Sequence, residues 1–181
     1  MKSYLSVRTI VLASLGAAMM AACSQISISI GPVPFTLQTF IVGFVASTFP
    51  KNEARSAVLI YILLGLIGLP VFSKAGATTA LFGPTGGYLW GLIAYVFLTS
   101  QLLTKKASYP GLFVANLAGD SLVFLFGLVW LHLVGHMPVA GAFTVGVLPF
   151  ILPDLGKMVA ITVLAKTLKE RLAGLIGSER P

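Results

Sequence analysis

Hydrophobic positions along this chain gather into long runs instead of alternating with polar ones. Apolar segments fall at roughly 7–29, 37–49, 55–72, 87–104, 111–134 and 143–169. A helix needs about 20 residues to cross a hydrocarbon layer roughly 30 Å thick, and most of these runs approach that length. The second is short and the last begins irregularly. Between them lie Gly31-Pro32-Val33-Pro34, Pro50-Lys51-Asn52-Glu53, Ser73 to Pro84, Lys105 to Pro110 and Gly135-His136-Met137-Pro138. All are rich in residues that break helices or favour turns. The pattern predicts an all-α membrane protein, a bundle of six transmembrane helices forming one integral membrane domain over residues 1–181, with no internal repeat.

Composition agrees with that reading. Of 181 residues, 57% are hydrophobic and 9% charged, with a mean hydropathy of +0.97, whereas a soluble domain carries roughly a quarter charged residues. A net charge of +7 raises the question of nucleic acid. The basic residues sit in short clusters between apolar runs, without aromatic interleaving or a nucleic-acid module, so no nucleic-acid partner is expected. If alternate connections share a side, Lys2, Arg8, Lys51, Arg55, Lys105, Lys106, Lys166, Lys169, Arg171 and Arg180 fall together, and only Lys74 lies in an opposite loop. The positive-inside rule then places both termini in the cytoplasm.

The N-terminus carries features of a removable signal segment. Lys2 and Arg8 precede the apolar run from Thr9, and Met20-Ala21-Ala22-Cys23 resembles a lipoprotein cleavage site. The run continues past Cys23 and longer apolar segments follow, which favours an uncleaved first helix. Cys23 is the one cysteine, so an intrachain disulfide is excluded, and the residue reads as small and buried.

On the outer side the connections are apolar yet rich in proline and glycine, and non-helical backbone of that kind is tolerated at membrane depth when it lines a cavity. Two of the charges inside the membrane stand close together. Lys157 lies about 13 Å of helix rise before Lys166, and Asp154 precedes it by three residues. At that spacing they share a helix face, partly neutralise each other, and can bind a small polar ligand where water is excluded. The bland alternative is a Pro153-Asp154 helix cap with a snorkelling lysine. Asp120 and Asn116 are a second pair, better read as ordinary interhelical hydrogen bonding. His132 and His136 lack companions at metal-ligand spacing, so no metal is expected. No phosphate loop, G-x-S-x-G or H-E-x-x-H occurs, which favours binding over catalysis.

Three stretches carry a more specific signal: Gly31-Pro32-Val33-Pro34-Phe35-Thr36-Leu37-Gln38, Leu81-Phe82-Gly83-Pro84-Thr85-Gly86-Gly87-Tyr88, and Leu148-Pro149-Phe150-Ile151-Leu152-Pro153-Asp154-Leu155-Gly156-Lys157. In order and spacing they resemble the BioY family, the biotin-binding S components of energy-coupling factor (ECF) transporters, over nearly the whole chain. The resemblance implies six helices, cytoplasmic termini and a pocket toward the outer face that Asp154 and Lys157 reach. It implies biotin as transported ligand with no cofactor, a transmembrane coupling protein and two ATP-binding-cassette ATPase subunits as partners, and no enzymatic activity.

Biotin joins a ureido ring to a thiophane and a valerate tail, so its site needs ring-edge hydrogen bonds, apolar walls and a partner for a carboxylate. Asp154 is set against the ureido N–H groups and Lys157 against either polar end. Thr36 and Gln38 offer hydrogen bonds, Phe35 and Tyr88 walls, and Gly86 and Gly87 a close approach of backbone to ligand; ordinary turn geometry is the alternative for these. Ser73 to Ala80, with Lys74 and two threonines, departs from the family's more Gly-rich loop. Ala13, Ala17 and Ala21 recur every four residues beside the row Ser14, Ala18 and Ala22, and such a strip docks the coupling protein in the resembled family; packing within the bundle is the alternative. The rival readings are a carrier for riboflavin, thiamin or a precursor such as dethiobiotin, a small membrane enzyme using Asp154, Lys157 and Asp120, and a solitary facilitator.

Overall fold

A computed structural model describes residues 6–73, 77–103 and 107–178. Among these residues the chain forms eight helices and one two-stranded hairpin: α1 (Val7–Ser24), β1 (Ser27–Ile30), β2 (Val33–Thr36), α2 (Gln38–Thr48), α3 (Lys51–Leu66), α4 (Ala77–Phe82), α5 (Gly86–Leu102), α6 (Tyr109–Leu133), α7 (Val139–Gly146) and α8 (Leu148–Ser178). Three are long and apolar enough to cross a membrane: Val7–Ser24, Tyr109–Leu133 and Leu148–Arg171. Lys2, Lys74, Lys105, Lys106 and Arg180 lie outside the described residues.

The first predicted segment extends beyond its helix. Ser27-Ile28-Ser29-Ile30 alternates with period two and pairs antiparallel with β2, Ile30 opposite Val33, as β-branched residues on a pleated ribbon favour. Gly31 turns the corner at φ +77°, while Pro32 is confined to negative φ. One positive φ at the first of two turn positions is the pattern of a type II′ hairpin. The expected connection at 31–34 is therefore a β-hairpin.

The third segment is shifted toward the N-terminus of its prediction. Lys51, Asn52 and Glu53 belong to α3, preceded by Pro50, and the helix stops where Gly68 takes φ +98°. There Gly68 N–H bonds to Gly65 O and Leu69 N–H to Leu64 O, the paired bonds of a Schellman cap. The run through Leu69 and Val71 is thus loop despite being apolar. The last predicted segment is two helices, α7 and α8, broken at Val147.

Polar contacts gather the basic residues at one end of the bundle. Thr9 Oγ1 donates to Glu53 (3.1 Å), joining the starts of α1 and α3. Arg55 donates to Ser100 Oγ (3.2 Å) and Gln101 Oε1 (3.0 Å) at the end of α5. Lys166 donates to the Ala107 carbonyl (3.3 Å). The hairpin, residues 69–73, α4 and α7 occupy the opposite end. Between the ends, Asn116 ties helices together: its amide donates to Ser47 Oγ and its Oδ1 accepts from Tyr95.

Ala13 and Ala17 are buried and Ala21 half-buried, on the face of α1 where Gly16 meets Ala57 of α3. The strip expected to receive an outside partner is thus largely covered within the bundle. Ser14, Ala18 and Ala22 are exposed and form the free row on this helix.

Candidate functional site

At the hairpin end the elements surround about 750 Å³ of empty space, open mouth included. The hairpin closes one side with Val33, Pro34 and Thr36. Its apolar walls come from α5 (Tyr88, Leu89, Leu92), α6 (Val123, Phe124) and α8 (Phe150), with Phe72 from the loop after α3, where Ser73 adds a hydroxyl. Gln38, Thr39, Thr85, Asp154 and Lys157 supply most of the polar edge.

Asp154 and Lys157 form a buried ion pair, Nζ to Oδ1 2.6 Å, with side chains 5% and 11% exposed. Because α8 begins at Leu148, Pro153 lies inside the helix and Asp154 cannot be its N-cap, so the capping alternative is excluded. The ammonium also donates to the Thr36 carbonyl (2.8 Å) and to Thr39 Oγ1 (2.9 Å), and it stands 4.1 Å from the centre of the Phe35 ring, within cation–π range. Two of its three donors are thereby committed. Asp154 Oδ1, by contrast, has the ammonium as neighbour but accepts no aligned hydrogen bond among the described residues. A buried carboxylate oxygen in that condition is costly unless a donor meets it.

The other expected site residues divide by position. Thr36 lines the cavity, but its hydroxyl accepts the backbone N–H of Gln38 (3.2 Å) and so steadies the start of α2. Tyr88 lines it with its ring while its hydroxyl donates to the Gly146 carbonyl (2.8 Å), fixing α5 to α7. Phe35 is not among the described lining residues; it stacks at 6.2 Å on Phe150, which is. Gly86 and Gly87 are also absent from that lining. A Cβ on Gly87 would collide with Trp130 and the Phe126 carbonyl, and one on Gly86 with the Leu81 carbonyl, so these glycines serve packing rather than approach to a ligand. Asp120 is buried, within electrostatic reach of Asp154 and Lys157, and makes no hydrogen bond among the described residues, unlike Asn116 four positions earlier. Sequence reasoning missed Thr39, Phe124 and Phe150 as lining residues. Thr39 follows Thr36 by three positions, in the first turn of α2, and carries a readable signal; the two phenylalanines are indistinguishable in sequence from lipid-facing ones.

The BioY family model matches residues 1–174. The biotin transporter BioY of Thermotoga maritima is 38% identical over 164 residues, covering 90% of this chain and 96% of that protein. Biotin transporter BioY2 of Lactococcus lactis subsp. cremoris is 36% identical, covering 91% and 92% respectively. The crystal structure of the S-component for biotin from an ECF-type ABC transporter superposes with a TM-score of 0.83 at 25% identity, over 94% of this chain and 95% of that one.

Proposed function

This chain belongs to the BioY family, and from that premise we propose that it is the biotin-capturing S component of an ECF-type uptake transporter and not an enzyme. The observation that carries the reading is the Asp154–Lys157 pair, buried against a largely apolar cavity. Asp154 accepts ureido N–H groups of biotin, and the rings and aliphatic chains of α5, α6 and α8 cover the thiophane. Lys157 serves by pairing with Asp154 and by tying the hairpin to α8. The same bonds keep it away from a ligand carboxylate unless one of them is given up.

The chain crosses the membrane of a prokaryotic cell six times, with both termini cytoplasmic and the cavity facing outward. Gathering of Arg55, Lys166 and the starts of α1 and α3 at the end remote from the cavity supports that orientation. ATP-driven release is the work of a separate module of a transmembrane coupling protein and two ATPase subunits. The exposed row Ser14, Ala18 and Ala22 of α1 is the small-residue face open to the coupling protein.

The test is equilibrium binding to the detergent-purified protein by calorimetry, with riboflavin and thiamin as controls. Biotin binds and the controls do not. Asp154→Asn and Lys157→Met each weaken binding by roughly ten- to a hundredfold, the range for loss of a charged hydrogen bond. Well-folded protein without measurable affinity for biotin would refute the assignment.

A further inference from the structure

Gln38 opens α2 and lines the cavity, yet its side chain is held from behind. Its Nε2 donates to the Tyr61 hydroxyl at 2.6 Å within the core. That hydroxyl donates onward to the Val71 carbonyl (3.1 Å). A carbonyl oxygen only accepts and a phenol has a single proton. The bond to Val71 takes that proton and leaves the phenol oxygen as an acceptor toward Gln38. Gln38 must therefore turn its NH₂ group inward. Its Oε1 accepts no hydrogen bond among the described residues and is the amide atom left for the cavity. Without this direction the amide would offer a ligand donor or acceptor with little preference, since the two orientations have nearly the same shape.

We propose that Tyr61 is a positioning residue for ligand specificity: the Val71–Tyr61–Gln38 relay fixes Gln38 as a hydrogen-bond acceptor for a ring N–H of the ligand. This rests on the biotin reading above. Asp154 and Gln38 together then offer two acceptors in one cavity, the complement of the two N–H groups of a cyclic urea. Tyr61 is fully buried and does not itself line the cavity, so its influence passes through Gln38. The loop that supplies Val71 keeps a second donor within reach, because the single hydroxyl proton of Ser24 is shared between the Val71 carbonyl (2.6 Å) and the Ala21 carbonyl (2.7 Å). The Tyr61 ring meets Phe72 edge-on at 5.2 Å, a contact that phenylalanine at position 61 retains.

The test is a binding cycle with biotin on the full chain: Tyr61→Phe, Gln38→Met and the double variant, with thermal midpoints measured alongside. Tyr61→Phe weakens biotin about tenfold, the usual worth of one hydrogen bond, and adds no further loss once Gln38 is methionine. Biotins methylated at one ureido nitrogen or the other give a second reading that needs no change at Gln38. The wild type discriminates against the methyl that displaces the Gln38 contact, and Tyr61→Phe narrows that discrimination. An undiminished affinity in Tyr61→Phe, or an equal loss with and without Gln38, overturns the relay while leaving the biotin reading intact. No biotin binding by the folded wild type overturns both.

Discussion

A buried ion pair contributes less to stability than its separation suggests, because desolvating both charges offsets much of their attraction; removing one partner is worse, since the other stays buried alone. Lys157→Met strands Asp154 in an apolar cavity, so this variant is expected to lose roughly 3–5 kcal/mol. Adding Asp154→Asn should recover part of that loss. Thermal unfolding of both variants and the wild type in detergent measures both effects, and a double variant no more stable than Lys157→Met would argue against a stranded charge. Of the site residues, Asp154 and Lys157 were legible in sequence because charges three positions apart in an apolar run have few other uses. Gly86 and Gly87 were not, because a glycine pair beside a ligand and one beside a tryptophan are spelled alike. Only Trp130, 43 positions away in sequence but packed against Gly87, tells them apart.

At the scale of elements, apolar periodicity located the helices but not their ends. Helix α3 ends on the Schellman bonds of Gly68 although Leu69 and Val71 prolong the apolar run, and Ile28 and Ile30 belong to a strand although they prolong the first. Hydrophobicity reports burial or lipid contact without regard to backbone form; the turn residues decide the form. Gly31 isolates that influence. A Cβ there would meet nothing within 4 Å, so Gly31→Ala strains the hairpin only through its left-handed backbone, about 1–2 kcal/mol. Since β2 carries Val33, Pro34 and Thr36 to the cavity, the expected outcome is weaker biotin binding by several-fold with little change in the unfolding midpoint of the bundle. Helix α2 shows the opposite sensitivity. A Cβ on Gly43 would press on the Tyr95 hydroxyl and lie 2.7 Å from both Asn116 Oδ1 and Ile161 Cδ1, where four helices converge. Gly43→Ala should cost about 1–3 kcal/mol by overpacking, visible as a lower midpoint and a smaller yield of folded protein.

The whole molecule is polarised in a way that its function requires. One end holds the contacts of Arg55, Lys166 and Glu53, and the other holds the cavity under a hairpin of alternating serine and isoleucine. Helix α2, at 11 residues, rises only about 16 Å and cannot cross a layer roughly 30 Å thick unaided. It is buried along much of its length, so the proposed six-crossing arrangement has it held in the layer by its neighbours, with the hairpin and the loop before α3 completing the passage. In the six-crossing arrangement proposed above, α2 and α3 meet at the basic end through Phe49 and Pro50, while the hairpin and α7 belong to the other end. Two single cysteines in a Cys23→Ala background test this arrangement. Asn52 and Ala140 are exposed in the structure and belong to opposite ends. In intact cells a membrane-impermeant maleimide should label Ala140→Cys and spare Asn52→Cys until the membrane is permeabilised. The reverse result would place the cavity toward the cytoplasm and make capture from outside impossible without inversion. Labelling of both in intact cells would mean that the 52 and 140 positions share the outer side, which a six-crossing chain does not permit.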